Sequence, residues 1–165
     1  MEITNPDGTQ VRAERRFAAS PERLWQAFTD PSEMAAWMWG GFAGNSVAGS
    51  DLHIGGAYSV YTDSSATKDG WHSDRIGRCG IYVEIEPETR LTYTLHWDAP
   101  VGYNQRAGVV TDEVFIVTFT PDGDGTIVVV CHLGIPDDGV SAVEHGRGLG
   151  EELDTLAALV EKPIA

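Results

Sequence analysis

Positions 10 to 18, QVRAERRFA, set Val11, Ala13, Arg15 and Phe17 on one side and polar or charged residues on the other. Period two over this length predicts a half-buried strand. The pattern then becomes helical. Ser20 is placed to cap a helix, Pro21 suits its first position because the missing amide proton has no partner there, and Leu24, Trp25 and Phe28 form its apolar stripe. The stretch DPSEMAAWM starts a second helix with Asp30 as cap, Pro31 first, and Glu33 three residues on, the spacing of a capping box. From Gly40 onward, glycine-punctuated runs predict six strands near 45–52, 57–62, 75–85, 90–97, 112–120 and 126–133. The turn TPDGDGT, 120 to 126, joins the last two as a hairpin. Asp137 or Asp138 then caps a long final helix, with Val143, Gly146, Leu149, Gly150, Leu153, Leu156, Ala157 and Val160 along one face. The expected order is β, α, α, six β, α: an α+β chain with one antiparallel sheet.

Three glycines, Gly146, Gly148 and Gly150, stand in the first turns of that helix. A dinucleotide cradle needs GxGxxG directly after a strand within a βαβ unit. Here the spacing is GxGxG, inside the helix and with no parallel strand to follow. The glycines therefore predict close approach of the helix backbone to the sheet, or empty volume beside it, at about 0.8 to 1 kcal/mol of helix stability each relative to alanine.

Composition narrows the function. The 165 residues suit a single domain spanning 1–165 with its core at about 10–160, and 42% hydrophobic against 22% charged residues fits a packed globule. Eleven basic and twenty-five acidic residues leave a net charge of −14, which repels phosphate backbones and anionic membrane surfaces, so neither nucleic acid nor membrane insertion is expected. The first ten residues carry no signal-like pattern, and a cytoplasmic location is expected. Cys79 and Cys131 have no metal-ligand spacing and read as small apolar core residues. His53, His72, His96 and His145 have no partner at ligand spacing either. No metal and no cofactor are expected, and Ser141 lacks the strand-to-helix context of a nucleophile elbow.

Several stretches in this order resemble one family: RRFAASPERLWQAFTDPSEMAAW, DLHIGGAY, GIYVEIEPETRLTYT, VFIVTFTPDGDGTIVVVCHLGIP and GLGEELDTLAALV. Together they resemble the activator-of-heat-shock-ATPase homologues of the START-like, or SRPBCC, helix-grip superfamily, over about residues 10 to 160. Two positions depart from the family: His53 stands where arginine is common, and Leu149 where tryptophan usually follows the helix glycine. The resemblance implies a curved antiparallel sheet wrapped around the C-terminal helix, with an internal, mostly apolar cavity between them. Relatives bind lipids or polyketides, sequester toxic natural products, cyclise aromatic polyketides, or stimulate a heat-shock ATPase; the eukaryotic activators carry a further N-terminal domain.

Candidate site residues follow from strand parity. If Thr120 faces Gly125 across the last hairpin, Phe115 faces Val130, Val117 faces Val128, and Glu113 faces His132 on the same side. In the resembling family this side faces the helix. A carboxylate and an imidazole meeting there are a candidate acid–base pair, a polar contact for a ligand, or a self-satisfied buried pair. The strand 90–97 puts Leu91, Tyr93, Leu95 and Trp97 on the cavity side. On 57–62 either Tyr58 and Val60 or Tyr61 face inward. Leu149 and Leu153 lie on the helix face opposite. Trp37, Met38, Trp39 and Phe42 crowd the end of the second helix, as an entrance wall or as plain packing. The segment 98–110 is a lid or an ordinary loop.

The leading expectation is a module that binds a small apolar or amphipathic molecule between sheet and helix. The ligand-binding set is Trp37, Tyr93, Leu95, Trp97, Glu113, Phe115, Val117, Val130, His132, Leu149 and Leu153, and His132→Ala is expected to weaken binding while sparing the fold. The alternatives are a cyclase- or hydrolase-like enzyme using Glu113 and His132, and a chaperone-activating interaction module. Ile127, Val129, Cys131 and Leu133 on the other face of the last strand suggest a homodimer, which a monomeric mass in light scattering would remove.

Overall fold

A computed structural model describes residues 1–38, 46–62, 76–98 and 112–162. Its elements are β1 (Glu2–Thr4), β2 (Gln10–Phe17), α1 (Pro21–Thr29), α2 (Pro31–Trp37), β3 (Ser46–Ser50), β4 (Ala57–Thr62), β5 (Ile76–Glu86), β6 (Arg90–Asp98), β7 (Glu113–Asp122), β8 (Gly125–Leu133) and α3 (Ser141–Val160). The strands form one antiparallel sheet in the order β1-β2-β8-β7-β6-β5-β4-β3. The fold is α+β as expected, with strand limits shifted by a residue or two. One strand is new: β1, which pairs with β2 at the sheet edge.

The short helices form for the reasons their sequences give. The Ser20 side chain accepts the Arg23 amide, and Asp30 Oδ1 accepts the amides of Ser32 and Glu33. The capping box is only half made. Asp30 is also the C-cap of α1, so its own amide donates to the Gln26 carbonyl, and Glu33 instead pairs with Arg23 at 2.5 Å, tying α2 to α1. At α3, Asp138 supplies the cap: Oδ1 accepts the amides of Val140 and Ser141, and Oδ2 the Ser141 hydroxyl. These bonds from Ser141 hold the Asp138 carboxyl down at about 2.

The inner face of the sheet and the buried stripe of α3 share one core. Val11, Ala13 and Phe17 of β2, Phe115, Val117 and Phe119 of β7, and Val128 and Val130 of β8 face Leu149, Leu153, Leu156 and Ala157. On β4 the inward set is Tyr58, Val60 and Thr62, which resolves the parity the sequence left open. Two of the helix glycines do bring backbone and sheet together. A Cβ on Gly150 would stand 3.0 Å from Ile3 Cδ1, and one on Gly146 3.4 Å from Ile3 Cγ2, with Val11 methyls just beyond. The strand that uses this space is β1.

The last hairpin is registered two residues from the expected pairing. Asp122 faces Gly125, so Phe115 faces His132 and Val117 faces Val130. The strand runs past its expected end at 120 to include Pro121. That residue pairs with Thr126 near the tip, and the turn narrows to Gly123 and Asp124, with Gly123 at φ +63. A positive φ at the first of two loop positions fits a type II′ hairpin, which follows the twist of the strands. A shift of two keeps every side chain on its expected face.

The cysteines are a correction: both are half-buried on the outer face, outside the core, with Cys131 opposite Arg12 and Ile116, and Cys79 opposite Ser59 and His96. Parity sends them there, because their neighbours Arg78, Val130 and His132 take the inner side. Ile127, Val129 and Leu133 are likewise half-buried, with Ile127, Val129 and Cys131 lying beside the charged β2 residues Arg16, Glu14 and Arg12. Among the described residues no helix is long and apolar enough to cross a membrane.

Candidate functional site

Three adjacent strands place a row of rings at one level of the inner face. Tyr93 of β6 faces Phe115 of β7, which faces His132 of β8. Tyr93 and Phe115 stack at 5.4 Å and 15°, and Phe115 and His132 at 4.2 Å and 18°. Tyr58 and Tyr82 meet the Tyr93 edge at 5.0 and 6.4 Å. Such contacts add roughly 0.5–1.5 kcal/mol each beyond area burial.

Glu113 lies one inward position from Phe115 and faces Leu95. Its Oε1 reaches diagonally to His132 Nε2 at 2.9 Å, with side-chain exposures of 0% and 1%. The expected pair therefore forms, across a diagonal and not face to face. Gly134 helps make room: it adopts φ +78, and a Cβ there would lie 2.2 Å from the Asp112 carbonyl oxygen. On α3, His145 turns its ring edge against His132 at 4.7 Å and 88°. It is not the isolated histidine that sequence spacing suggested. His53 and His96 are exposed, His53 beside Asp51 at 2.9 Å, and His72 lies outside the described residues. Among the described residues no cluster could hold a metal ion.

A second buried ionic contact was not read from the sequence. Arg78 of β5 occupies an inward position between Val60 and Trp97, and its Nη2 lies 3.2 Å from Oε2 of Glu152 on α3, with side-chain exposures of 8% and 12%. The guanidinium carbon sits 5.4 Å from the Phe115 ring centre. Burial works against the charge on Arg78, yet Glu152 holds its pKa above the usual arginine value. A buried arginine in a strand between Gly77 and Gly80 leaves no apolar alternation to mark its face.

His145, Gly148 and Glu152 follow at three- and four-residue spacing, so they share a half-buried flank of α3. Among the described residues nothing stands within 4 Å of where a Gly148 Cβ would be. Beneath this flank, Tyr93 is 3% exposed. Tyr58 donates to the Thr94 carbonyl at 2.7 Å, and the Tyr82 hydroxyl shares a hydrogen with Ser50 at 2.8 Å.

Burial raises the pKa of Tyr58, Tyr82 and Tyr93, with Arg78 opposing it at Tyr58 and Tyr93. A phenol whose folded pKa is raised favours the native state as long as it stays protonated. This stability is intact below the ordinary value of 10.0 and is lost as pH climbs from there toward the raised folded values. Titration by phenolate absorbance should therefore show these three tyrosines ionising only with unfolding. Reversible ionisation of all tyrosines near the ordinary value, with the fold retained, would contradict their burial.

The remaining candidates separate from the row. Val117, Val130 and Leu153 are fully enclosed core residues, Leu95 and Leu149 are buried beside the row, and Trp97 is half-buried next to Arg78. Trp37 packs against Phe28 of α1 at 4.8 Å and makes no ring contact with the row. Trp39, Phe42 and the segment 99–111 lie outside the described residues. A separate apolar groove of about 330 Å³ runs between β1 and α3, lined by Ile3, Val11, Val143 and Gly146 among others, and none of the candidate ligand residues lines it.

An open antiparallel sheet laid against a long C-terminal helix, with two short helices leading from β2 into the rest of the sheet, is the helix-grip architecture. The chain belongs to the Activator of Hsp90 ATPase homolog 1-like protein family, whose model matches residues 18–161. Among solved structures, a Chromobacterium violaceum protein is 29% identical with a TM-score of 0.74, covering 94% of this chain and 99% of its own. A Rhodobacter sphaeroides protein is 21% identical with a TM-score of 0.73, covering 97% of each chain. An Arthrobacter aurescens protein at 16% identity reaches a TM-score of 0.75, covering 99% of this chain and 93% of its own. The latter two support the fold alone. No curated protein matches the chain.

Proposed function

We propose that this chain binds a small apolar or amphipathic molecule between the inner face of the sheet and α3. The observation that carries the reading is the half-buried flank at Gly148. Among the described residues it leaves space on the helix between His145 and Glu152, over a wall of stacked rings with Tyr93 at one end. Apolar walls with a few converging polar groups are what small-molecule sites require. Burial of ligand surface supplies affinity at roughly 25 cal/mol per Å², and the polar groups orient one end.

The buried Glu113–His132 pair, with His145 edge-on to it, favours a second reading, acid–base catalysis on the bound molecule, which a bell-shaped pH dependence of turnover would support. The family description carries a third, activation of a chaperone ATPase through an outer surface. The deciding experiment is native mass spectrometry of the protein purified from its own host, compared with its denatured mass. A retained small molecule is expected. An empty protein with no thermal shift across lipid and polyketide panels would overturn the ligand reading in favour of the third.

A further inference from the structure

We infer that Glu152 sets the charge preference of this site: by matching Arg78 it makes the space beside α3 select uncharged ligands over carboxylates of the same shape. The inference rests on the ligand-binding reading above. Arg78 is the cation nearest the stacked rings among the described residues, over Phe115, and so the group an acidic ligand would seek. Its charge is already met by Glu152, and both side chains are almost fully removed from water. Among the described residues, the inner face of the sheet also carries the carboxylate of Glu113, beside His132 on the far side of Phe115.

A carboxylate entering here would lose its hydration and, among the described residues, meet in Arg78 a cation whose charge Glu152 already opposes. It would also stand near one carboxylate at each end of the ring wall. Burying an ion without a new partner is costly, whereas an uncharged group loses far less hydration. The phenol of Tyr93, in the ring wall, stays protonated there and can donate to an uncharged oxygen. The ligand class is therefore a neutral, ring-bearing molecule with one carbonyl or ether acceptor at its inner end.

The test uses a matched pair of probes, 2-naphthoic acid and its methyl ester, titrated against the full chain by calorimetry at neutral pH. The wild-type protein is expected to bind the ester at least about ten-fold tighter than the acid. In Glu152→Gln, Arg78 loses the Glu152 carboxylate, and the ratio is expected to fall by about ten-fold or more through a gain in naphthoate affinity. A wild-type measurement decides the matter should that variant not fold. Lowering the pH from 7 toward 5 raises the neutral fraction of the acid about ten-fold per unit, so its apparent affinity should rise in step while that of the ester stays level. An acid that binds as well as the ester, with affinity flat over this pH range, overturns the inference and leaves the ligand reading standing. An unchanged ratio in folded Glu152→Gln does the same. Failure of both probes to bind counts against the ligand reading itself, and the inference falls with it.

Discussion

Replacing His132 by alanine is expected to destabilise the protein by about 3–5 kcal/mol, because it opens a cavity and takes the imidazole partner from a buried carboxylate in one step. The imidazole is almost fully enclosed, stacked on Phe115 and edge-on to His145, and its Nε2 faces Glu113 at 2.9 Å. Removing it leaves the Glu113 side chain, with no solvent exposure, without its histidine. The sequence led to the expectation that this substitution would spare the fold. Burial reverses that half of the expectation. The paired replacement Glu113→Leu with His132→Phe should cost much less, since exchanging both members of a buried pair for apolar groups of similar size is often close to neutral. Urea unfolding of the two singles and the double would give the coupling directly. A loss below about 1 kcal/mol for His132→Ala would mean that water reaches the pair, and would shift weight toward its use on a bound molecule.

Much of this arrangement was legible because strand parity survives errors in register. The alternation of Leu91, Tyr93, Leu95 and Trp97 against Thr92, Thr94 and His96 put the right side chains inward even though the hairpin slipped by two. The Glu113–His132 contact survived for the same reason. What failed to show lies where periodicity carries no weight. Glu152 and His145 sit on the flank of α3, beside its apolar stripe, and a hydrophobic pattern assigns such positions to solvent. Arg78 stands in a glycine-interrupted strand, and β5 carries a bulge between Tyr82 and Glu84 that breaks its alternation. β1 is three residues long, too short for any period, although Ile3 explains two of the helix glycines.

Trp37→Ala is expected to cost about 3–5 kcal/mol and to leave any ligand in place, because this side chain joins elements and does not line the row of rings. It is 2% exposed, its ring meets Phe28 at 4.8 Å, and Phe28 in turn meets Phe119 of β7 at 5.3 Å. The chain of contacts therefore runs from α2 through α1 to the sheet. The indole Nε1 also donates to the Ala27 carbonyl at 2.7 Å. Ala27 belongs to the last turn of α1, whose carbonyls have no partner within the helix, so Trp37 satisfies one of them from the next helix. Alanine removes the ring volume and this bond together, whereas Trp37→Phe keeps most of the volume and should lose only about 1 kcal/mol for the bond. Urea unfolding measures both losses, and native mass spectrometry of the folded fraction reads ligand retention. Release of the ligand from a folded Trp37→Ala variant would return this residue to the wall of the site, where its sequence position had first suggested it.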